Sequence, residues 1–83
     1  AQLRLGSLHL ALGDMPPARA AFAAAARKPE TAVAASEGLR RVARSTGEWS
    51  AVASDLEEAL VWGQRNPRCW ENYIVALTRS GEL

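Results

Sequence analysis

Three glycine-acid turns, Gly13-Asp14, Gly47-Glu48 and Gly81-Glu82, constrain this chain more than any other feature, because successive glycines stand 34 residues apart. Apolar residues return at the same shift: Leu5 to Leu39 to Tyr73, Leu8 to Val42 to Ala76, Phe22 to Leu56, and Ala25 to Ala59. Recurring glycines alone are weak evidence. Turn and core tracks that recur together mark an internal repeat, in which each unit is too small to hide its apolar face and must stack on its neighbours.

Each unit reads as two helices. "AQLRLGSLHLAL" carries Leu5, Leu8 and Leu12 at a three-and-four spacing that lines one helical face, and the Gly13-Asp14 turn ends it. "PPARAAFAAAARK" opens on prolines, acceptable in a first turn whose amides have no intrahelical partner, and Pro29 marks its end. "TAVAASEGLRRVARS" runs to Gly47 with Thr31 as a candidate cap. "WSAVASDLEEALVWGQRN" follows, with Trp49, Val52, Leu56, Ala59 and Leu60 on one stripe and Gly63 weakening its last turn by about 1 kcal/mol. Asn66-Pro67 supplies a cap and a first-turn proline for a fifth helix from Arg68 to about Ser80. The expected fold is an all-α helical-repeat solenoid of antiparallel pairs, divided into units at residues 1–32 and 33–66 and the first helix of a third unit at 67–83.

These residues resemble the tetratricopeptide repeat family, whose unit is a helix-turn-helix with a W-x2-L-G-x2-Y then A-x3-F pattern. The first unit has Leu5-Gly6, His9 for the usual Tyr, Gly13-Asp14, Ala18, Phe22 and Ala25. The second keeps Leu39, Gly47-Glu48, Leu56 and Ala59 but has Arg40 in place of the small Gly and Val52 in place of the small Ala, which puts its packing tightness in question. The third supplies Trp70, Tyr73 and Gly81-Glu82, with Ile74 in the Gly position. "LEEAL" followed by "CWENYIVALTRSGE" is also similar to the last repeats of the eukaryotic tetratricopeptide repeat protein 27 family, a resemblance whose distinctive part is Glu71-Asn72. That narrower likeness implies a large helical scaffold linked to chaperone-assisted assembly of splicing particles. On the repeat reading, Trp70, Tyr73, Ile74 and Leu77 form the packing face of a helix awaiting its partner. The chain is then a fragment of a longer array, with further repeats of the same chain at both ends.

Composition narrows the chemistry. Ten basic against nine acidic residues leave a net charge of +1, far from the basic excess of a nucleic-acid binder, so nucleic acid is not the expected partner. The longest apolar run, Ala20 to Ala26, is too short to span a bilayer, and no charged-then-apolar leader opens the sequence. An intracellular soluble location, cytoplasmic or nuclear, without membrane insertion, is the expectation. Cys69 is the one cysteine and His9 the one histidine. On a solenoid they fall on the first and fifth helices, too far apart for a nucleophile and base, and together they cannot supply the four ligands of a structural zinc site. His9 reads as a core or groove side chain and Cys69 as a half-exposed thiol. Asp55, Glu57 and Glu58 read as the solvated face opposite Leu56, Ala59 and Leu60 rather than as an acid-base pair. No phosphate-loop motif is present. No enzyme activity, cofactor or metal is expected.

In tetratricopeptide arrays the first helix of each unit lines a groove, and the resemblance carries its peptide-contacting positions onto Arg4, Glu37, Arg41, Arg44, Arg68, Asn72 and Arg79, with Leu3, Ser7, Leu10, Gly38, Glu71 and Val75 beside them. Five Arg against two Glu make that face cationic. Arg suits bidentate capture of carboxylates, so an acidic or carboxylate-bearing protein segment is the expected partner. Leu3, Ser7 and Gly38 stand where the family's chaperone-tail clamp needs polar donors, so these units are not expected to bind chaperone tails. The expected role is a non-enzymatic interaction scaffold within a larger assembly. The alternatives are an RNA-binding helical repeat using the same Arg stripe, or a regulatory repeat region of a larger enzyme.

Overall fold

The computed structural model describes residues 2–81, which form five helices and no strand: α1 (Gln2–Leu12), α2 (Met15–Ala25), α3 (Ala32–Thr46), α4 (Trp49–Trp62) and α5 (Pro67–Ser80). The all-α expectation therefore holds. Gly13, Gly47 and Gly81 each follow a helix end with φ of +81°, +77° and +80°, a left-handed conformation that costs a Cβ-bearing residue and costs glycine almost nothing. Gly13 and Gly47 are thus chain-reversal points. Glu82, the acid of the third glycine-acid pair, lies outside the described residues.

With so few residues in the turns, α1 and α2 fold back on one another, as do α3 and α4. α3 also packs on α2, α5 on α4, and the odd-numbered helices touch in sequence, α1 against α3 and α3 against α5. The result is a slab of two helical rows, 31 × 27 × 14 Å overall, with α1, α3 and α5 in one row and α2 and α4 in the other. The backbones of α2 and α4 pack little on one another. Arg19 of α2 links them instead, donating from Nε to Asp55 Oδ2 at 3.1 Å and from Nη2 to the carbonyl of Ala51 at 3.2 Å.

The core lies between the rows and is built from Phe22, Leu39, Val42, Val52 and Leu56 with many alanines, which let the helices approach closely. Val52 is fully enclosed, so the larger residue at that expected small position is accommodated. The small residue that matters most in α3 is Gly38. Its Cα faces the Phe22 ring so closely that any Cβ there would collide with the ring, and Gly6 of α1 approaches the same ring, a Cβ there coming within 2.8 Å of Phe22 Cε1.

Other local expectations resolve in mixed fashion. Asn66 Oδ1 caps α5 by accepting from the amide of Arg68 at 2.9 Å. Thr31 stands at the N-cap of α3, but its hydroxyl donates to Ala25 O at 2.7 Å, closing the end of α2 instead. α4 stops at Trp62, earlier than its polar tail suggests, because Gly63 is wedged against Cys69 and Ala59 and the chain then passes through left-handed Gln64 and Arg65, at φ of +56° and +57°. Leu5, Leu8 and Leu12, expected as a core face, are exposed. Their equivalents one period on, Leu39 and Val42, are buried because α3 has α2, α4 and α5 packed against it, whereas α1 packs mainly on α2 and only lightly on α3.

Candidate functional site

A groove of about 790 Å³ lies between α1 and α3. Leu3, Ser7 and Leu10 form its α1 wall, Val33, Glu37, Gly38 and Arg41 its α3 wall, the Phe22 ring part of its floor, and Arg68 of α5 and Glu30 its rim. The wall pattern follows from helical geometry. Residues 3, 7 and 10 lie on one face of α1, and 33, 37 and 41 succeed one another by single turns on α3. Gly38 contributes by omission, since with no side chain there the Phe22 ring reaches the groove.

The seven residues expected to contact a partner divide into three groups. Glu37, Arg41 and Arg68 come together at the groove. Arg68 Nη1 donates to Glu37 Oε1 at 3.2 Å, while Arg41 is exposed and has no hydrogen-bond or ion-pair partner among the described residues. Arg4 and Arg44 are exposed on α1 and α3 but do not line the groove, and Arg79 is exposed with its guanidinium 5.8 Å from the centroid of the Trp49 ring. Asn72 is different: it is 1% exposed, locked between α3 and α5.

Around Asn72 lies a polar network that sequence reading missed. Its Nδ2 donates to Ser36 Oγ at 3.0 Å, Ser36 Oγ donates to Val33 O at 2.6 Å, and Arg40 Nη1 donates to Asn72 Oδ1 at 3.0 Å and to Glu71 Oε1 at 3.4 Å. Arg40, which replaces the small glycine of the repeat pattern, thus reaches across to α5 and joins the helices through charge. No spacing on either helix announced it, because Asn72 is enclosed only where α3 brings Ser36 and Arg40 against α5.

The lining of the groove differs from the cationic surface that the seven residues taken alone imply. Four charged side chains line it, Glu30, Glu37, Arg41 and Arg68, and their charges balance. The other residues singled out for chemistry stand apart. Cys69 is fully buried beside Gly63, where it was expected half-exposed, because the turn after α4 folds over it. His9 Nδ1 is 3.9 Å from Asp14 Oδ2 at the α1–α2 turn. Asp55 is held by Arg19, and Glu57 accepts from Tyr73 Oη at 3.4 Å, so two of the three carboxylates on α4 are engaged in ties between helices. Among the described residues no group of three or more His, Cys, Asp and Glu is placed to hold a metal ion, and no helix is long and apolar enough to cross a membrane. Trp70 and Ile74, expected on a packing face, are partly exposed, while Tyr73 and Leu77 of the same helix pack on the core.

Set against family models, curated proteins and solved structures, the chain finds no match in any of the three.

Proposed function

We propose that this chain is a tetratricopeptide-type helical repeat that works as a non-enzymatic protein-interaction scaffold, taking a segment of a partner protein into the groove between α1 and α3. The observation that carries this reading is the pairing, in one groove, of an apolar lining from Phe22, Leu3 and Leu10 with the unpaired guanidinium of Arg41. Apolar surface supplies affinity and the arginine orients a carboxylate, which is how a preformed groove recognises an extended or helical segment. The repeat assignment rests on the 34-residue recurrence and on two successive hairpins whose first helices touch in order. Apolar Leu5, Leu8 and Leu12 on α1, and Trp70 and Ile74 on α5, are the faces on which further repeats of the same chain would stack. The RNA-binding alternative has less support, because of the groove's four charged residues only Arg41 is an unpaired cation.

Selection of displayed random peptides on the protein, followed by affinity measurements with an Arg41→Glu variant, tests the proposal. Enriched peptides should combine a large apolar residue with an acid and lose roughly tenfold or more in affinity to the variant, consistent with truncating and reversing a charge-assisted contact. Enriched peptides indifferent to Arg41→Glu and to Leu10→Ser would refute the groove as the site. Tight binding of single-stranded RNA with a steep salt slope would favour the nucleic-acid alternative.

A further inference from the structure

An acidic partner was the natural expectation for an arginine-lined surface, yet the groove carries its own acid at the place where a second ligand carboxylate would sit. We propose that Glu37 is a built-in competitor for Arg68, so that the groove selects a segment with one apolar side chain and a single carboxylate and gains nothing from a second. The inference rests on the reading of the groove as a peptide site and specifies the ligand.

Glu37 and Arg41 are one turn apart on the same face of α3, so Glu37 lies within reach of both arginines of the lining. Its carboxylate has turned to Arg68 Nη1, 3.2 Å away, and it makes no ion pair with Arg41. Arg41 is left as the one cation of the lining with nothing to bind among the described residues, and a guanidinium presents a forked set of donors to a carboxylate. Beside it the Phe22 ring, Leu3 and Leu10 give an apolar seat. One apolar group and one acid, a few ångströms apart, therefore satisfy the groove.

A further acid meets opposition instead of attraction. Arg68 is already neutralised, and Glu30 on the rim repels a polyacidic segment. The Glu37–Arg68 pair is open to water, with 38% and 73% of the two side chains exposed, so it exchanges with solvent and with ligand. Removing Glu37 frees Arg68 and turns a one-acid site into a two-acid site. That change strengthens binding, the reverse of what deleting a groove residue ordinarily does.

Three probes with the same apolar side chain separate the contributions: N-acetyl-leucinamide with no carboxylate, N-acetyl-leucine with one, and N-acetyl-leucyl-glutamate with two. Affinities are read from heteronuclear NMR titrations of the isotope-labelled protein, following the amides of Ser7 and Gly38. In the wild-type protein the first carboxylate should tighten binding by about two- to fivefold, the range for exposed charge pairs, and the second should add nothing. In Glu37→Gln, an isosteric change at a partly exposed position, the second carboxylate should add a further gain of about two- to fivefold. In Arg41→Gln the first gain should vanish, and in Glu37→Gln combined with Arg68→Gln the second should vanish. If all probes bind but Glu37→Gln leaves the series unchanged, or the wild type already profits from the second carboxylate, the competitor role is overturned and the peptide-site reading stands. If no probe shifts the Ser7 and Gly38 amides in any variant, both fall together.

Discussion

Replacing Gly38 by alanine should destabilise the protein even though it puts a better helix former into the middle of a helix. On an open helical surface the change would add about 1 kcal/mol of stability through lower backbone entropy. Here the new methyl group lands on Cε1, Cδ1 and Cζ of Phe22. The ring is 3% exposed and Gly6 also approaches the same three atoms, a Cβ there coming within 2.8 Å of Cε1, so the ring has little room to step aside. Overfilling a closed core costs about 1–3 kcal/mol, and contact with three ring atoms puts this case at the upper end. The net loss should be about 1–2 kcal/mol after the helix gain is subtracted. Equilibrium urea denaturation followed by far-ultraviolet circular dichroism measures it. A double-mutant cycle with Phe22→Leu isolates the cause, because shortening the ring should recover about 1 kcal/mol or more of the alanine penalty. A Gly38→Ala variant more stable than wild type, or a cycle with no coupling, would refute the seating of Phe22 on Gly38 and with it the floor of the groove.

Three further outcomes test other parts of the structure by the same denaturation assay. Phe22→Ala should cost about 3–5 kcal/mol, whereas Trp70→Ala, whose ring is 42% exposed and leans on Tyr73 at 6.4 Å, should cost about 1 kcal/mol; equal losses would contradict the exposure of Trp70. Asn72→Ala should cost about 1–3 kcal/mol by removing the buried partner of Ser36 and Arg40, and Ser36→Ala in the same background should add little; a cost near zero would place Asn72 at the surface. Gln64→Gly should stabilise by about 0.5–1 kcal/mol, because φ of +56° strains a residue with a Cβ, and a loss there would argue that the Gln64 side chain holds the turn.

The parts of this structure legible in the sequence are those set by backbone chemistry over short range. Left-handed glycines, the Asn66-Pro67 start and the three-and-four spacing of apolar residues are local, so the five helices and the turns at Gly13 and Gly47 could be marked, while α2 and α4 end three to four residues before the stretches read for them. What escaped depends on how one helix is rotated against another. Asn72 sits on a solvent-compatible track of α5 by its spacing, and only the approach of α3, with Ser36 and Arg40 reaching over, encloses it. The repeat pattern put the small residue of the second unit at position 40, while the inclination of Phe22 puts the need at Gly38. Glu37 and Arg68 are 31 residues apart, and no spacing rule announces that a surface acid will silence one arginine of the groove and leave its neighbour Arg41 free.

Arg19 gives the slab an unequal stiffness. The helices of the row α1, α3 and α5 touch one another directly, whereas across the row of α2 and α4 the polar tie among the described residues is the guanidinium reaching from α2 to Asp55 and the Ala51 carbonyl. An ionic fastener is weakened by dissolved salt in a way that interlocked hydrocarbon is not. Added salt should therefore loosen the α2–α4 edge before the row of α1, α3 and α5, like a book whose spine is sewn and whose fore-edge is held by a clasp. Salt is the hand that opens the clasp.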